Sequence, residues 1–170
     1  MDFIELAAQR YSCKKYSDQP VEQEKLNLIL EAGRLAPTAK NLQEQRVYIA
    51  RSADALAKID QVTPCRYGAG TVLVVAYDAA NTYTYPGEKY SGGVEDATIV
   101  ATHMMLAAKS VGVESCWLNK FNPDELHAVL GLPENEKIVM LLDLGYPAEG
   151  AGPLPNHSSR KPLAETVKEL

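Results

Sequence analysis

Two short polar segments flank the first long helix pattern of the chain, and both carry side chains suited to ligand binding. The first is Arg10-Tyr11-Ser12-Cys13-Lys14, which supplies two cations and a hydroxyl within five residues. Arginine offers a planar fork, lysine a point charge and serine a short donor, a combination that suits phosphate oxygens. An ordinary helix end, whose cations stabilise the negative pole of the helix dipole, explains the same residues. The segment alone leaves both interpretations open.

The second segment covers residues 36–43, Ala-Pro-Thr-Ala-Lys-Asn-Leu-Gln, and follows an apolar helix pattern. Pro37 ends that helix, because the residue before a proline is disfavoured in the helical region. The side chains of Asn41 and Gln43 both donate and accept hydrogen bonds, which suits the edge of an amide-like heterocycle. A plain helix stop followed by a turn is the alternative. Together the two segments favour a phosphorylated, ring-bearing cofactor.

Composition and charge narrow the classes of protein further. The 170 residues are interpreted as one domain, 1–170, and the net charge of −5 argues against a nucleic-acid partner. The three cysteines and three histidines have no disulfide or metal-type spacing, so we expect reduced thiols, a cytoplasmic location and no metal. The first ten residues lack the apolar core of a secretory signal. The longest apolar run, 71–77, is too short to span a bilayer, so we expect no membrane partner.

Hydrophobic periodicity predicts helices alternating with strands. Helices are expected over 2–9, 21–35, 53–56, 94–111 and 123–130 and from Pro162, with strands over 46–50, 71–77, 113–118 and 138–142. The β-branched run 71–77 is typical of a central strand covered on both faces. The helix over 94–111 is apolar on more than one side, which predicts that it is enclosed all round. The chain has neither a GxGxxG turn after an opening strand nor a P-loop, which disfavours a Rossmann domain.

Five motifs occur in an order that resembles the nitroreductase family. They are Arg-x-Ser-x-Lys at 10–14, the segment 36–43, Gly-Val-Glu-Ser-Cys-Trp-Leu at 112–118, Leu-Gly-Tyr-Pro at 144–147 and Arg-Lys-Pro-Leu at 160–163. The set spans nearly the whole chain, in a short version of the family. The resemblance implies an α+β, three-layer α/β/α fold, with a central, mostly antiparallel sheet flanked by helices. It also implies an intertwined homodimer with FMN at the subunit interface.

The resemblance also assigns roles to particular positions. It implies that the phosphate and ribityl chain of FMN are held by Arg10, Ser12, Lys14 and Arg160, with Tyr11 in the same segment. It implies that the flavin is approached from the partner subunit by Pro37, Thr38, Ala39 and Asn41, and that the backbone of Leu118 and Asn119 faces its N5 and O4 edge. Two departures, Tyr11 where a basic residue is common and Ser158 where some relatives have lysine, predict a weaker phosphate site. No side-chain catalyst is implied.

The implied activity is an FMN-dependent oxidoreductase that takes hydride from NADH or NADPH at flavin N5. It passes electrons with ping-pong kinetics to a small, electron-poor acceptor such as a nitroaromatic or a quinone. A flavin-binding module without turnover is an alternative, and so is another flavin reaction, such as reductive dehalogenation. Three further features have two interpretations each: Tyr83 to Tyr90 as an aromatic lid or a surface loop, Cys13 as a reactive or an inert thiol, and His103 as a core residue or a ligand.

Overall fold

The computed structural model describes residues 2–170, which form six α-helices and one four-stranded sheet. The helices are α1 (Phe3–Gln9), α2 (Gln23–Arg34), α3 (Ala53–Val62), α4 (Gly93–Ser110), α5 (Pro123–Leu130) and α6 (Leu163–Thr166). The strands are β1 (Gln45–Ala50), β2 (Thr71–Asp78), β3 (Glu114–Leu118) and β4 (Glu136–Gly145). All neighbouring strands are antiparallel, in the order β1-β2-β4-β3.

The central strand β2 separates two apolar cores, because successive side chains of a strand point to opposite faces. Leu73 and Val75 pack with α2 and α4 on one face. Val72, Val74 and Ala76 pack with α3 and α5 on the other face. All five side chains are buried, as the unbroken β-branched run predicts. Helices therefore cover both faces of the sheet, and the predicted three-layer α+β fold is confirmed.

Local hydrogen bonds explain where two of the helices begin. The Asp2 side chain accepts from the Glu5 backbone N–H at 2.9 Å and forms a capping box at the start of α1. The Asn122 side chain accepts from the Asp124 N–H at 3.0 Å at the start of α5. Gly131 follows α5 in the left-handed conformation, with φ 68°, which satisfies its last carbonyl groups.

Helix α4 packs closely on α2, because Gly33 leaves room for the Met104 side chain. A Cβ at Gly33 would lie 2.8 Å from Met104 Cγ, closer than side-chain carbons approach each other. Residues 2–170 leave the opposite face of α4 uncovered: Val94 is 52% and Ile99 37% exposed, and His103 is also exposed. Within one chain the helix is therefore not enclosed all round and His103 is not a core residue, because helical periodicity does not show whether an apolar face is covered by its own chain.

Two predicted elements are too short. Helix α3 continues six residues past Leu56 to Val62, with the buried Ile59 as its anchor against the sheet. Strand β4 extends beyond the predicted 138–142 at both ends, and its partner β2 matches it over eight residues. Among residues 2–170, no helix is both long and apolar enough to cross a membrane.

Candidate cofactor-binding site

The basic segment leaves helix α1 and runs beside the first residues of β3. Arg10 has extended backbone angles, φ −66° and ψ 127°, so the helix does not continue through the segment. Ser12 forms a parallel bridge with Ser115, and the Cys13 N–H donates to the Ser115 carbonyl at 3.0 Å. An extended chain alternates its side chains. Tyr11 and Cys13 are accordingly buried, while Ser12 and Lys14 lie on the accessible side.

The C-terminal part of the chain brings Arg160 close to this segment through His157. A cavity of about 90 Å³ is lined by Arg10, Tyr11, Ser12, Leu154, Asn156 and His157. His157 also lines an adjoining cavity with Ser158 and Arg160. The His157 Nε2 lies 3.0 Å from the Ala8 carbonyl, and its ring meets Tyr11 edge-on at 6.3 Å between centroids. Residues from both ends of the chain therefore line two cavities that share His157, the second of which is also lined by the apolar residues Ile4, Ala7 and Ala8.

Arg10 and Arg160 line these cavities, and Lys14 lies in the same extended segment as Arg10. Within residues 2–170, Arg10, Lys14 and Arg160 form no ion pair with a carboxylate. The Arg160 Nη1 donates to the Ser159 carbonyl at 2.7 Å, and the Lys14 Nζ lies 5.9 Å from the centroid of the Tyr67 ring. Charge-assisted hydrogen bonds to an oxyanion are the strongest that such groups form.

Tyr11 lies beneath an internal ion pair. Lys109 and Glu114 are 2.6 Å apart, and the Lys109 Nζ lies 5.6 Å from the centroid of the Tyr11 ring. Burial, and then the charge of Glu114, raise the pKa of Tyr11 to about 12. The phenol therefore keeps its proton at neutral pH.

A buried acid stands behind the basic segment. Asp143 of β4 pairs in register with Cys116 of β3, is fully buried, and has no hydrogen-bond partner for either oxygen within residues 2–170. Burial raises the pKa of Asp143 to about 9 and that of Cys116 to about 11. Burial also raises the pKa of Cys13, which favours the interpretation of Cys13 as an inert thiol. These groups are neutral at pH 7.

The second predicted segment folds into a tight turn with an unusual backbone. Lys40, Asn41 and Gln43 have φ values of 52°, 55° and 53°, in the left-handed region that side chains disfavour. The Asn41 N–H donates to the Thr38 carbonyl at 2.9 Å, and the Gln43 N–H donates to Thr38 Oγ1 at 3.0 Å. The neighbouring structure therefore fixes the conformation of this turn.

Helix α4 holds the two segments apart. The Ala39 N–H donates to Asp96 Oδ2 at 2.9 Å near the start of α4, whereas Lys109, over Tyr11, is in its last turn. Lys109 follows Asp96 by thirteen positions along the helix, a distance of about 20 Å at 1.5 Å per residue. One chain therefore does not bring the turn onto the basic segment.

Leu118 and Asn119 lie on the strand that runs beside the basic segment. Leu118 is the last residue of β3, about 10 Å along the strand from Ser115 at its usual rise, and Asn119 follows it. Leu118 is buried, and the exposed Asn119 accepts a hydrogen bond from the Trp117 indole. The structure thus groups the predicted site residues into two sets. The set on the basic side contains Arg10, Tyr11, Ser12, Lys14, Leu118, Asn119 and Arg160, and the set on the turn contains Pro37, Thr38, Ala39 and Asn41.

Sequence reasoning did not identify three residues that support these sets. Glu44 and Asp96 are buried carboxyl residues behind the turn, 0% and 5% exposed. Nothing in the sequence distinguishes them from the other acids, because their burial depends on tertiary packing. The sequence offers His157 no metal-type spacing, and the structure gives it an aromatic contact to Tyr11.

Comparisons with known proteins identify the family. A family model described as the nitroreductase family matches residues 7–67 and 63–146. The crystal structure of a nitroreductase family protein from Clostridium difficile 630 superposes with a TM-score of 0.93 at 35% identity, covering 99% of this chain and 98% of that one. The chain belongs to the nitroreductase family, and this prediction is confirmed.

Two further relatives carry functional information. An NADH dehydrogenase from Thermus thermophilus is 27% identical, and the match covers 98% of this chain and 95% of that protein. A nitroreductase structure from Desulfovibrio desulfuricans, solved in complex with FMN, is also 27% identical. Its TM-score is 0.81, and the match covers 98% of this chain and 95% of that one.

Proposed function

We propose that this protein is an FMN-dependent oxidoreductase that uses NADH or NADPH to reduce a small, electron-poor acceptor such as a nitroaromatic or a quinone. The observation that carries the proposal is that, within residues 2–170, the cations Arg10, Lys14 and Arg160 have no carboxylate partners. Arg10 and Arg160 line two cavities that share His157, in a chain of the nitroreductase family. The related structure in complex with FMN supports the choice of cofactor, and the related NADH dehydrogenase supports the choice of reductant.

Each residue of the basic set has a distinct task in this proposal. Arg10, Ser12 and Arg160 would bind the phosphate, since a guanidinium offers paired donors and a serine hydroxyl adds a short one. Lys14 would bind further along the cofactor, because it lies toward Tyr67 rather than toward His157. The backbone at Leu118 and Asn119 would orient the ring. When bound, FMN supplies the redox chemistry by exchanging hydride at N5, so no side chain has to act as the catalyst.

The second set reaches the cofactor only in a homodimer. Pro37, Thr38, Ala39 and Asn41 lie about 20 Å from the basic segment, the length of helix between Asp96 and Lys109. A second copy can bring its own turn onto this cleft. The exposed apolar side chains of the helical surface suit such an interface. They include Phe3, Ile4, Val94, Ile99, Leu163 and Val167.

Purified protein tests the activity directly. We expect a yellow protein with a flavin absorption spectrum that oxidises NADH or NADPH only when an acceptor is present. Donor and acceptor would use the same site in turn, so double-reciprocal plots should give parallel lines. Bound flavin without NAD(P)H oxidation would instead indicate a storage module, and failure to bind added FMN would overturn the proposal.

Mixed dimers test the shared site. We expect Arg10→Ala and Asn41→Ala homodimers to bind FMN poorly, because every site lacks one contact. A heterodimer of the two variants has one doubly altered site and one unaltered site, so it should bind one tight FMN per dimer. Isothermal titration of tagged, purified heterodimers measures this number. An Arg10→Ala/Arg10→Ala dimer is the control, and the same stoichiometry in both would place each site within a single chain.

A further inference from the structure

Two buried carboxyl groups meet behind the turn that contains Pro37 to Asn41. Glu44 immediately precedes β1, Asp96 lies near the start of α4, and their side chains are within hydrogen-bond reach. Within residues 2–170, an ionised Glu44 side chain has no hydrogen-bond donor for either of its oxygens. Asp96 Oδ2 accepts from the Ala39 N–H at 2.9 Å, so this carboxylate is the link between the pair and the turn.

The charged groups around the pair are engaged elsewhere. Arg46 is the cation that attracts Glu44, but its guanidinium forms ion pairs with Asp78 at 3.3 Å and Glu136 at 3.5 Å. Asp78 gives its backbone N–H to the Glu44 carbonyl, and its carboxylate accepts from the Asn135 amide and the Ala80 N–H.

The groups on the far side of the turn are also occupied. The Glu95 carboxylate accepts from the Tyr85 hydroxyl, and the Lys40 Nζ lies 5.1 Å from the centroid of the Tyr83 ring. A proton on Glu44, donated to Asp96, therefore gives Glu44 the hydrogen-bond partner that it lacks and Asp96 a second donor beside the Ala39 N–H. Burial first, and then the contact with Asp96, raise the pKa of Glu44, which keeps that proton in place above the usual range of a glutamate.

We propose that a proton shared between Glu44 and Asp96 holds the 37–43 turn in its FMN-binding conformation, so that both acids are positioning residues for the cofactor. This inference rests on the proposed function. The protonated pair keeps Asp96 against Ala39, and Ala39 anchors the turn whose left-handed residues are Lys40, Asn41 and Gln43. Backbone conformations of this kind persist only where the surroundings fix them.

Loss of the shared proton has the opposite effect. Two adjacent buried carboxylates repel each other, so Asp96 moves from Ala39 and the strained turn relaxes. Because the folded pKa of Glu44 is raised, the turn is held at acidic pH and is released as the pH rises through that pKa. FMN prefers the held turn, so FMN binding and the proton support each other by linkage.

The affinity for FMN as a function of pH tests the inference. The wild-type dissociation constant, measured by quenching of flavin fluorescence between pH 4.5 and 9, should rise with pH, by about tenfold for each unit by which FMN raises the Glu44 pKa. Glu44→Gln and Asp96→Asn each supply an amide N–H in place of the proton, so both should flatten this rise. Titration of the FMN phosphate affects the wild type and the variants equally, so its contribution cancels when their pH profiles are compared.

Glu31→Gln is the matched control. It removes one carboxylate on α2, the helix before the turn, but Glu31 is exposed and pairs with Arg34 at 2.6 Å. This variant should keep the wild-type pH profile. If wild type, Glu44→Gln and Asp96→Asn show the same pH profile, the inference about the shared proton is overturned, whereas the proposed function is not. Absence of FMN binding at every pH would overturn the proposed function as well.

A second measurement uses the wild-type protein and tests the inference even where the variants fail to fold. Carbon-13 NMR of the Glu44 carboxyl in the wild-type protein should give a pKa above 4.5, and FMN should raise it further. A pKa at or below 4.5, or one that FMN leaves unchanged, would contradict the shared proton.

Discussion

The two segments that lie at opposite ends of α4 offer different properties to a ligand. At its C-terminal end, the basic segment leaves Arg10 and Lys14 without ion-pair partners within residues 2–170, on an extended backbone that bridges to Ser115. At its N-terminal end, the turn presents little charge but has a strained backbone anchored to Asp96. One end therefore provides charge, and the other provides shape.

The buried acid behind each end follows the same division. Asp143, behind the basic segment, has no hydrogen-bond partner within residues 2–170 and stays neutral because it is desolvated. Glu44, behind the turn, is next to a second carboxyl group, Asp96. The neutral Asp143 adds no negative charge behind the cations, whereas the pair of Glu44 and Asp96 fixes the geometry of the turn. Binding of the charged phosphate should therefore depend mostly on single cations, and the shape of the turn on the hydrogen bonds of this pair.

The largest effect is expected from removing a cation. We expect Arg10→Ala to weaken FMN binding by roughly 1.5–3 kcal/mol, the usual contribution of a charged hydrogen bond. Isothermal titration calorimetry measures this change. Arg34→Ala is the control, because Arg34 is exposed on α2 and paired with Glu31. An unchanged dissociation constant for Arg10→Ala would remove this residue from the site.

The next effect concerns the acid behind the cations. The folded pKa of Asp143, about 9, lies above its unfolded value of 3.8. Its contribution to stability is therefore fully present below about pH 4 and is lost as the pH rises toward 9. We expect Asp143→Asn to be more stable than wild type by about 2 kcal/mol at pH 8, with a smaller difference at pH 5. Urea unfolding at the two pH values measures this difference, and an equal difference at both would show that Asp143 does not titrate as argued.

The smallest effect concerns the shape of the turn. Thr38→Val removes the hydroxyl that accepts from the Gln43 N–H, so we expect a loss of about 1 kcal/mol in FMN binding. Thr166→Val is the matched control, since the Thr166 hydroxyl also bonds to the backbone, in α6. Calorimetry at one pH compares the two variants. A loss as large as that of Arg10→Ala would contradict the division into charge and shape.

Much of the fold was predictable because local patterns specify it. The unbroken apolar run of β2, the capping residue Asn122 and the stop at Pro37 each act over a few residues, and the structure has an element boundary or a buried strand where each one predicts it. The lengths of α3 and β4 were less predictable. They depend on contacts with the sheet, which Ile59 and the β2 partner residues make across the fold.

The structure separates the predicted site residues into the basic set and the turn set. The order of motifs along the chain pointed to Arg10, Ser12 and Arg160, and tertiary packing brings them together around His157. The sequence could not show the 20 Å of helix that keep Thr38 and Asn41 away from them. Homodimerisation, the ping-pong mechanism and the particular acceptor remain predictions.

The sequence by itself determined the family, the alternation of helices and strands, and the residue types available for a phosphate and a heterocycle. These follow from local periodicity and from the chemistry of individual side chains. Only the tertiary structure decided which cations lack ion-pair partners and which acids are desolvated, as for Glu44 and Asp143. Both properties depend on neighbours that are distant in the chain, and the charge of a buried carboxyl group depends on that environment.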